Sequence, residues 1–517
     1  MPAQGEEPVQ GEEVEQQVVI AGGGPVGLWL AAELRRGGIP VTVVEERPER
    51  DWRSKALTIH PRTIEVLASR GVHEPFLSEG LTIPSGHFGL LDDRLDFREL
   101  DTPFPYTLAL PQARTEELLE EHALSVGARI RRGHRVTGLT EHLDAVSVQV
   151  EGPDGAYELR AAYLVGCDGT RSTVRQAAGI DFPGSPSTVL GFLGDVTLES
   201  PPPPGFSVFT ETGTLMSAQL PGGMYRLVGI TPDDLTTTWP GDLTTDELRA
   251  KVIAIAGRDF GIKDVLWLSR FGNASRLAER YRKGRVLLAG DAAHQHFPAG
   301  GVGMNVGLQD AHNLAWKLVA VLRGRASETL LDTYHTERHP VGADLIRSSR
   351  AQTALMTGFS PAGRDLRALL SRSIATQPEF NRSLAERLTG LAVSYPPADP
   401  SAHPLTGTRA PDLAFASTGT KAGTGASSLF ALLRADRYVL LDLTGTAAGP
   451  LQDLARPGLA VHSRSLVERP DGWSGVRAVL LRPDGHLAWA GTAPDDADLA
   501  AAADRALTTL HEGRYDA

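Results

Sequence analysis

The spacing of apolar and polar positions along the chain divides it into elements. The run Gln17-Val18-Val19-Ile20-Ala21 has strand composition, and from Pro25 through Leu28, Leu30 and Leu34 to Arg36 the apolar positions take a helical period before the Gly37-Gly38 stop. Pro25 suits a first helical residue, whose N–H has no partner in any case. A second strand, Ile39 to Val44, ends at Glu45. A helix from Arg62 to Arg70 stops at Gly71, and a short alternation, Leu95 to Leu100, among Pro84, Pro103 and Pro105 reads as an excursion into a second layer. Helical spacing returns from Thr115 to Val126, with Leu118, Leu119 and Ala123 apolar and Gly127 as the stop. Then come a strand from Arg129 to Val136, a hairpin of Val146–Val150 and Tyr157–Arg160 around Gly152-Pro153-Asp154-Gly155, and a separate buried strand, Tyr163 to Gly166.

Between Asp168 and Gly290 lie 121 residues, too many for a loop. Within them Phe206–Phe209, Thr214–Leu220 and Met224–Ile230 resemble antiparallel strands, with Pro221-Gly222-Gly223 as a turn, so a sheet-rich substrate domain is expected. After Gly307, the residues Ala311, Leu314, Ala315, Leu318, Val319 and Leu322 trace one buried helical face up to Gly324. More helix follows through Leu391, and Pro396, Pro397, Pro400 and Pro404 mark a linker. Short strands at Tyr438–Leu443, Leu459–His462, Ala478–Leu481 and Leu487–Trp489 and an Ala-rich helix close the chain. The fold class is α/β. A Rossmann-like domain with a helical extension takes residues 17–74, 106–184 and 272–400, an interleaved antiparallel-sheet domain takes 75–105 and 185–271, and a further domain takes 403–517.

Composition narrows the function classes. A chain of 517 residues accommodates two or three domains, and 41% hydrophobic with 22% charged residues is ordinary for a globular enzyme. No apolar run has the length of a membrane span and the N-terminus lacks the pattern of a signal peptide, so a cytoplasmic protein without a membrane partner is expected. Cys167 is the sole cysteine, which excludes an intramolecular disulfide and any thiolate metal cluster. The formal charge is −12, and residues 1–16 carry Glu6, Glu7, Glu12, Glu13 and Glu15 with no Lys or Arg. That segment reads as a disordered acidic tail, and nucleic acid is not expected as a partner.

The chemistry-bearing pattern begins at Gly22, Gly24 and Gly27, a G-x-G-x-x-G turn between strand and helix. The first glycine permits the tight turn, the second lets backbone approach phosphate, and the third lets the helix pack on the strand; the helix N-terminus then offers N–H groups to an anion. Glu45, 18 residues past Gly27, stands at the end of the second strand where a carboxylate receives ribose hydroxyls. Two further segments end strands of the same presumed sheet: Leu164-Val165-Gly166-Cys167-Asp168-Gly169 and Val286-Leu287-Leu288-Ala289-Gly290-Asp291-Ala292-Ala293-His294.

With these three motifs in order, residues 17 to 400 resemble the flavin-dependent aromatic monooxygenases of the para-hydroxybenzoate hydroxylase type, and within them the aromatic polyketide hydroxylases and the rifampicin monooxygenase type. The resemblance implies FAD as cofactor, contacted by Gly22, Gly24, Val26 and Gly27, by Glu45 and by Glu46 beside it. It gives Asp291 a ribityl hydroxyl, Asp168 and Gly169 a place between the FAD side and the path of NADPH, Gln112 a position near the flavin's sugar, and Val136 a backbone contact to adenine. Lys55 stands where relatives commonly carry Arg, which keeps the charge but loses the planar fork. In the loop Phe297-Pro298-Ala299-Gly300-Gly301-Val302-Gly303-Met304-Asn305, glycines let backbone lie against a flat ring. A helix starting there would set its positive end beside the flavin, so Pro298, Gly301, Gly303, Met304 and Asn305 are read as contacts.

The implied reaction has NADPH as co-substrate reducing FAD, O2 adding at flavin C4a, and the hydroperoxide passing its outer oxygen to an electron-rich aromatic, polyketide-like substrate. No catalytic base stands out from the spacing. Arg171 and Arg175 serve either an NADPH phosphate or local salt bridges, and the sequence leaves both open. His294 and His296 suggest a metal pair, yet no third ligand clusters with them, and no metal is expected. Baeyer–Villiger insertion, inactivation of a rifampicin-type antibiotic, and a non-catalytic FAD-binding role stay as alternatives. The C-terminal residues from 403 are similar to the thioredoxin-like appendage of the polyketide hydroxylase branch; without cysteine they cannot carry dithiol chemistry, which leaves packing or a homodimer contact.

Overall fold

The computed structural model describes residues 16–397, 399–416, 427–445 and 449–512. The expected acidic tail therefore lies outside the described residues, save for Gln16, which opens the first strand. The framework is an eight-stranded sheet whose main path runs Arg282–Lys283, Val286–Leu288, Gly155–Gly166, Gln16–Ala21, Val41–Glu45, Arg129–Arg132. The register pairs Ala21 with Gly166 and Val44, and Gly166 with Leu288, all in parallel. Four strands thus end on one edge, and the segments that follow them emerge side by side, which is where open parallel sheets place ligands. Helix Pro25–Arg36 covers one face and packs on the long helix Gly303–Leu322.

Several sequence expectations change in detail. The hairpin strand and the buried strand are one continuous strand, Gly155–Gly166, whose first half pairs antiparallel with Val146–Gly152 and whose second half enters the parallel core. The change from alternating to continuous apolar character midway made it look like two. Arg129–Val136 breaks at Gly133, which has φ +74°, so that Val136 lies in a second strand, Arg135–Glu141, opposite Val150. Only Leu95–Asp96 of the stretch to Leu100 is strand. The helix expected after Gly307 begins four residues earlier at Gly303, and its residues 307–320 are buried on every side. A helix enclosed on all sides loses the one-face pattern that amphipathic spacing reads.

A five-stranded antiparallel sheet runs Ser207–Thr210, Gly213–Gln219, Met224–Ile230, Leu190–Leu198, Ile262–Gly272. Helix Thr245–Ala256, which the sequence reading did not single out, backs one face through Phe192, Val196, Leu215, Leu227, Leu248 and Val252. The opposite face sets Ile230, with Met216 and Phe271, against Phe297 and Ala299 of the glycine loop. The C-terminal sheet runs Leu459–Ser463, Tyr438–Asp442, Ala478–Leu481, Leu487–Gly491, with the first pair parallel and the others antiparallel. Its closing helix Asp496–Glu512 shares a core with Trp316 and Ala320 of the long helix. Among the described residues no helix is long and apolar enough to cross a membrane.

Candidate active site

The glycine turn is held by close packing. A Cβ on Gly27 would stand 2.0 Å from the Gly22 carbonyl oxygen, and Gly22, at φ +106°, passes so near the Cys167 carbonyl that no side chain fits. By contrast, a Cβ on Gly24 would meet no atom within 4 Å. That open space lies at the start of helix Pro25–Arg36, where no side chain caps the free N–H groups. Glu45 is fixed beside the turn, its carboxylate accepting from the N–H of Gly23 at 2.6 Å and of Arg47 at 3.0 Å. Glu46 and Lys55 are exposed. Gln112 opens helix Gln112–Ser125, accepts from the Ala56 N–H at 3.0 Å and donates to Glu116, so it anchors the segment that carries Lys55.

The second strand end is more inward-looking than its sequence suggests. The Asp168 carboxylate accepts from the Ser172 hydroxyl at 2.5 Å and the Val174 N–H at 3.1 Å, organising the short helix Thr173–Ala177. Burial pushes its carboxyl up, with Ser172 opposing. Gly169, at φ +76°, has open surroundings for a Cβ. Arg175 forms no side-chain salt bridge among the described residues: it is buried and donates to the carbonyls of Ala292 at 2.8 Å and Thr170 at 2.9 Å, lying over the Phe182 ring. It thereby ties the second motif to the third. Arg171 is exposed.

Asp291 sits in the turn Gly290–Ala292, exposed, with no side-chain hydrogen bond or close ion pair among the described residues, although its charge acts on His296. The turn itself is rigidly held. Asp310, fully buried on the long helix, accepts from the Gly290 N–H at 3.2 Å and from His294 Nε2 at 2.7 Å on one oxygen, and from Arg338 Nε at 2.7 Å on the other. Burial pushes the Asp310 carboxyl up, but Arg338 and His294 hold it below its ordinary value. His294 therefore spends Nε2 on a carboxylate.

The loop after it is shaped by Gly300 and Gly301, both with positive φ. Thr58 donates to the Gly301 carbonyl at 3.1 Å. The Asn305 amide, read from sequence as a ring contact, is spent within the protein: it donates to the carbonyls of Thr58 and Gly301 and accepts from the His60 N–H at 2.8 Å. Met304 packs partly buried against the main core, and Pro298 is exposed. His60, missed by the sequence reading, bonds the Gly300 carbonyl through Nε2 at 2.8 Å and Thr107 through Nδ1 at 3.0 Å. Burial lowers its pKa to about 4 despite the Gly300 carbonyl, so the ring is neutral, with its proton on Nε2. Nothing in its spacing announced this role; only the fold brings residues 58–60 to 300–305.

On the sheet face turned away from helix Thr245–Ala256, Asp195 and Arg226 are cross-strand partners. Arg226 grips both carboxylate oxygens at 2.7 and 2.8 Å, lies 5.3 Å from the Trp267 ring and donates to the Lys55 carbonyl at 3.3 Å. The pair is buried and links the sheet to the Lys55 segment; sequence reasoning missed it as well.

The chain matches known proteins along most of its length. Residues 15–349 match the FAD binding domain model and residues 403–509 match the aromatic-ring hydroxylase C-terminal model. The chain is 45% identical to an uncharacterized aromatic compound monooxygenase of Bacillus subtilis, over 93% of this chain and 96% of that one. It is 42% identical to a rifampicin monooxygenase of Streptomyces venezuelae, over 92% and 95%. Its fold superposes on the anhydrotetracycline hydroxylase OxyS of Streptomyces rimosus with a TM-score of 0.86 at 42% identity, covering 96% of this chain and 99% of that one.

Proposed function

Because the chain belongs to the FAD-dependent aromatic-ring hydroxylases, we propose that it holds FAD across the Gly22 and Asp291 turns and, with NAD(P)H and O2, adds one oxygen atom to an aromatic, polyketide-like substrate. The observation that supports this most is the convergence of strand ends on one sheet edge, with open space at Gly24 and an exposed carboxylate free of hydrogen bonds at Asp291, beside an apolar sheet face opposite the Gly300 loop. The residues fit the group. Glu45 stands beside the turn for ribose, the first N–H groups of helix Pro25–Arg36 for diphosphate, and Asp291 for the ribityl chain. Bound FAD supplies electron transfer from the nicotinamide and the activation of O2.

The protein's own groups do the rest. The start of helix Gly303–Leu322 would offer its positive end to negative charge on a bound flavin. Neutral His60 fixes the Gly300 carbonyl without adding a charge. Met216 and Phe271, partly buried beside the closed contact of Ile230 and Phe297, give the apolar side against which a flat substrate would rest. The C-terminal sheet and helix, read as a thioredoxin-like appendage without cysteine, serve packing.

The test is to supply purified protein with NADPH, isotopic O2, phenolic polyketides such as anhydrotetracycline, and rifampicin. The expected product carries one labelled oxygen. Peroxide alone with every candidate overturns the reading, and failure of NADPH to bleach the bound flavin marks a non-catalytic FAD protein. Rifampicin is included on the strength of the Streptomyces venezuelae relative; fragmentation of a labelled product separates ring hydroxylation from insertion beside a carbonyl.

A further inference from the structure

Hairpin tips normally face solvent. The tip of the last hairpin, Arg482-Pro483-Asp484-Gly485-His486, does not: all five residues are buried, and three of them are ionisable. It is inserted into the cofactor-binding part of the molecule, where Arg482 grips both oxygens of Glu337 at 2.8 and 2.9 Å. Asp484 accepts from Asn313 and from the Trp316 indole on the long helix. The carbonyls of Pro483 and Asp484 receive Arg70 and Arg62, each at 2.8 Å.

Two short routes lead from this tip to the turns that face the proposed FAD site. In one, the His486 ring packs at a tilt of 37° against Tyr395 with ring centres 4.4 Å apart, and Arg482 lies 4.9 Å from the same ring. The Tyr395 hydroxyl accepts from Arg338, Arg338 donates to Asp310, and Asp310 holds the Gly290 N–H and His294. That places Asp291. In the other, Arg62 belongs to helix Pro61–Ala68, whose preceding residue, His60, grips the Gly300 carbonyl.

We propose that the hairpin tip 482–486 is a positioning wedge for the FAD site, so that the cysteine-free C-terminal domain sets how well the Asp291 turn receives the cofactor. The claim rests on FAD binding at this site. Arg482, His486 and Tyr395 touch no part of the turn; they act through Arg338 and Asp310.

Apo-protein of the full chain is titrated with FAD, following flavin fluorescence, and its melting temperature is recorded. Tyr395→Phe removes one hydroxyl and keeps the packed ring; Arg482→Met removes the charged anchor. Each is expected to raise the FAD Kd by roughly two- to thirty-fold, the range of coupling carried between sites through packed networks. The discriminating readout is non-additivity: in an Asp291→Ala background the Tyr395→Phe effect disappears, which a merely structural role would not produce. If Arg482→Met does not fold, His486→Leu, which removes the ring packed on Tyr395, tests the tip in its place. An unchanged Kd in Tyr395→Phe, or an effect that persists in full without Asp291, overturns the proposal. A wild-type chain that binds no FAD overturns the functional reading beneath it.

Discussion

At the scale of single residues, the site divides into groups left free for a ligand and groups consumed in holding the frame. Asp291 is the clearest of the first kind, an exposed carboxylate on a fixed turn. Asp291→Ala removes a charge-assisted hydrogen bond of about 1.5–3 kcal/mol, so the FAD Kd is expected to rise by about 10- to 100-fold while the apo-protein melts unchanged. His60 is the second kind. Its folded pKa, lowered to about 4, lies below the ordinary value near 6.5, so the unfolded chain binds the extra proton first. Its neutral contacts are therefore fully present above about pH 6.5, and stability is lost as pH falls from there towards 4. Denaturant melts of wild type and His60→Gln across that window should differ in slope, the variant losing less on acidification.

At the scale of elements, the strand–turn–helix at Gly22 was legible because each of its constraints is local: a strand, a turn without side chains, a proline-led helix. Gly27→Ala tests that geometry. A methyl 2.0 Å from the Gly22 oxygen forces turn and helix apart, with an expected loss of about 1–3 kcal/mol by denaturant unfolding and loss of FAD retention on gel filtration. The five-stranded antiparallel sheet was legible only as three alternating strands. Its central feature, the Asp195–Arg226 pair, was not, because Asp195 and Arg226 lie far apart in sequence and meet only by register. Arg226→Met strands a buried carboxylate and should cost about 3–5 kcal/mol, whereas the double variant Asp195→Leu/Arg226→Met should recover most of it. Thermal melts of the three proteins measure the difference. Recovery without return of substrate turnover would assign the pair to the site rather than to stability.

At the scale of the whole molecule, what sequence could not reveal is how its polar turns are used. Arg482-Pro483-Asp484-Gly485-His486 has the composition of an exposed tip, and a linker rich in proline precedes its domain, so the chain from 403 onward looks detachable. In the folded molecule that tip neutralises Glu337, and the closing helix covers Trp316, Ala320 and Leu330. Burial holds the Lys317 ammonium down to about 8, while Glu337 is pushed up by burial yet held at about 2 by Arg482 and Lys317. Both charges are thus present at neutral pH and need each other's surroundings. A fragment ending at residue 402 would expose an apolar patch and leave Glu337 with Lys317 but without Arg482, a loss of about 3–5 kcal/mol added to the newly exposed apolar surface and taken from a total of about 5–15 kcal/mol. Such a fragment is expected to aggregate on size-exclusion chromatography and to elute without flavin. A monodisperse, yellow 1–402 fragment would instead make the C-terminal domain an independent unit, and the buried hairpin tip a contact of no consequence for the cofactor.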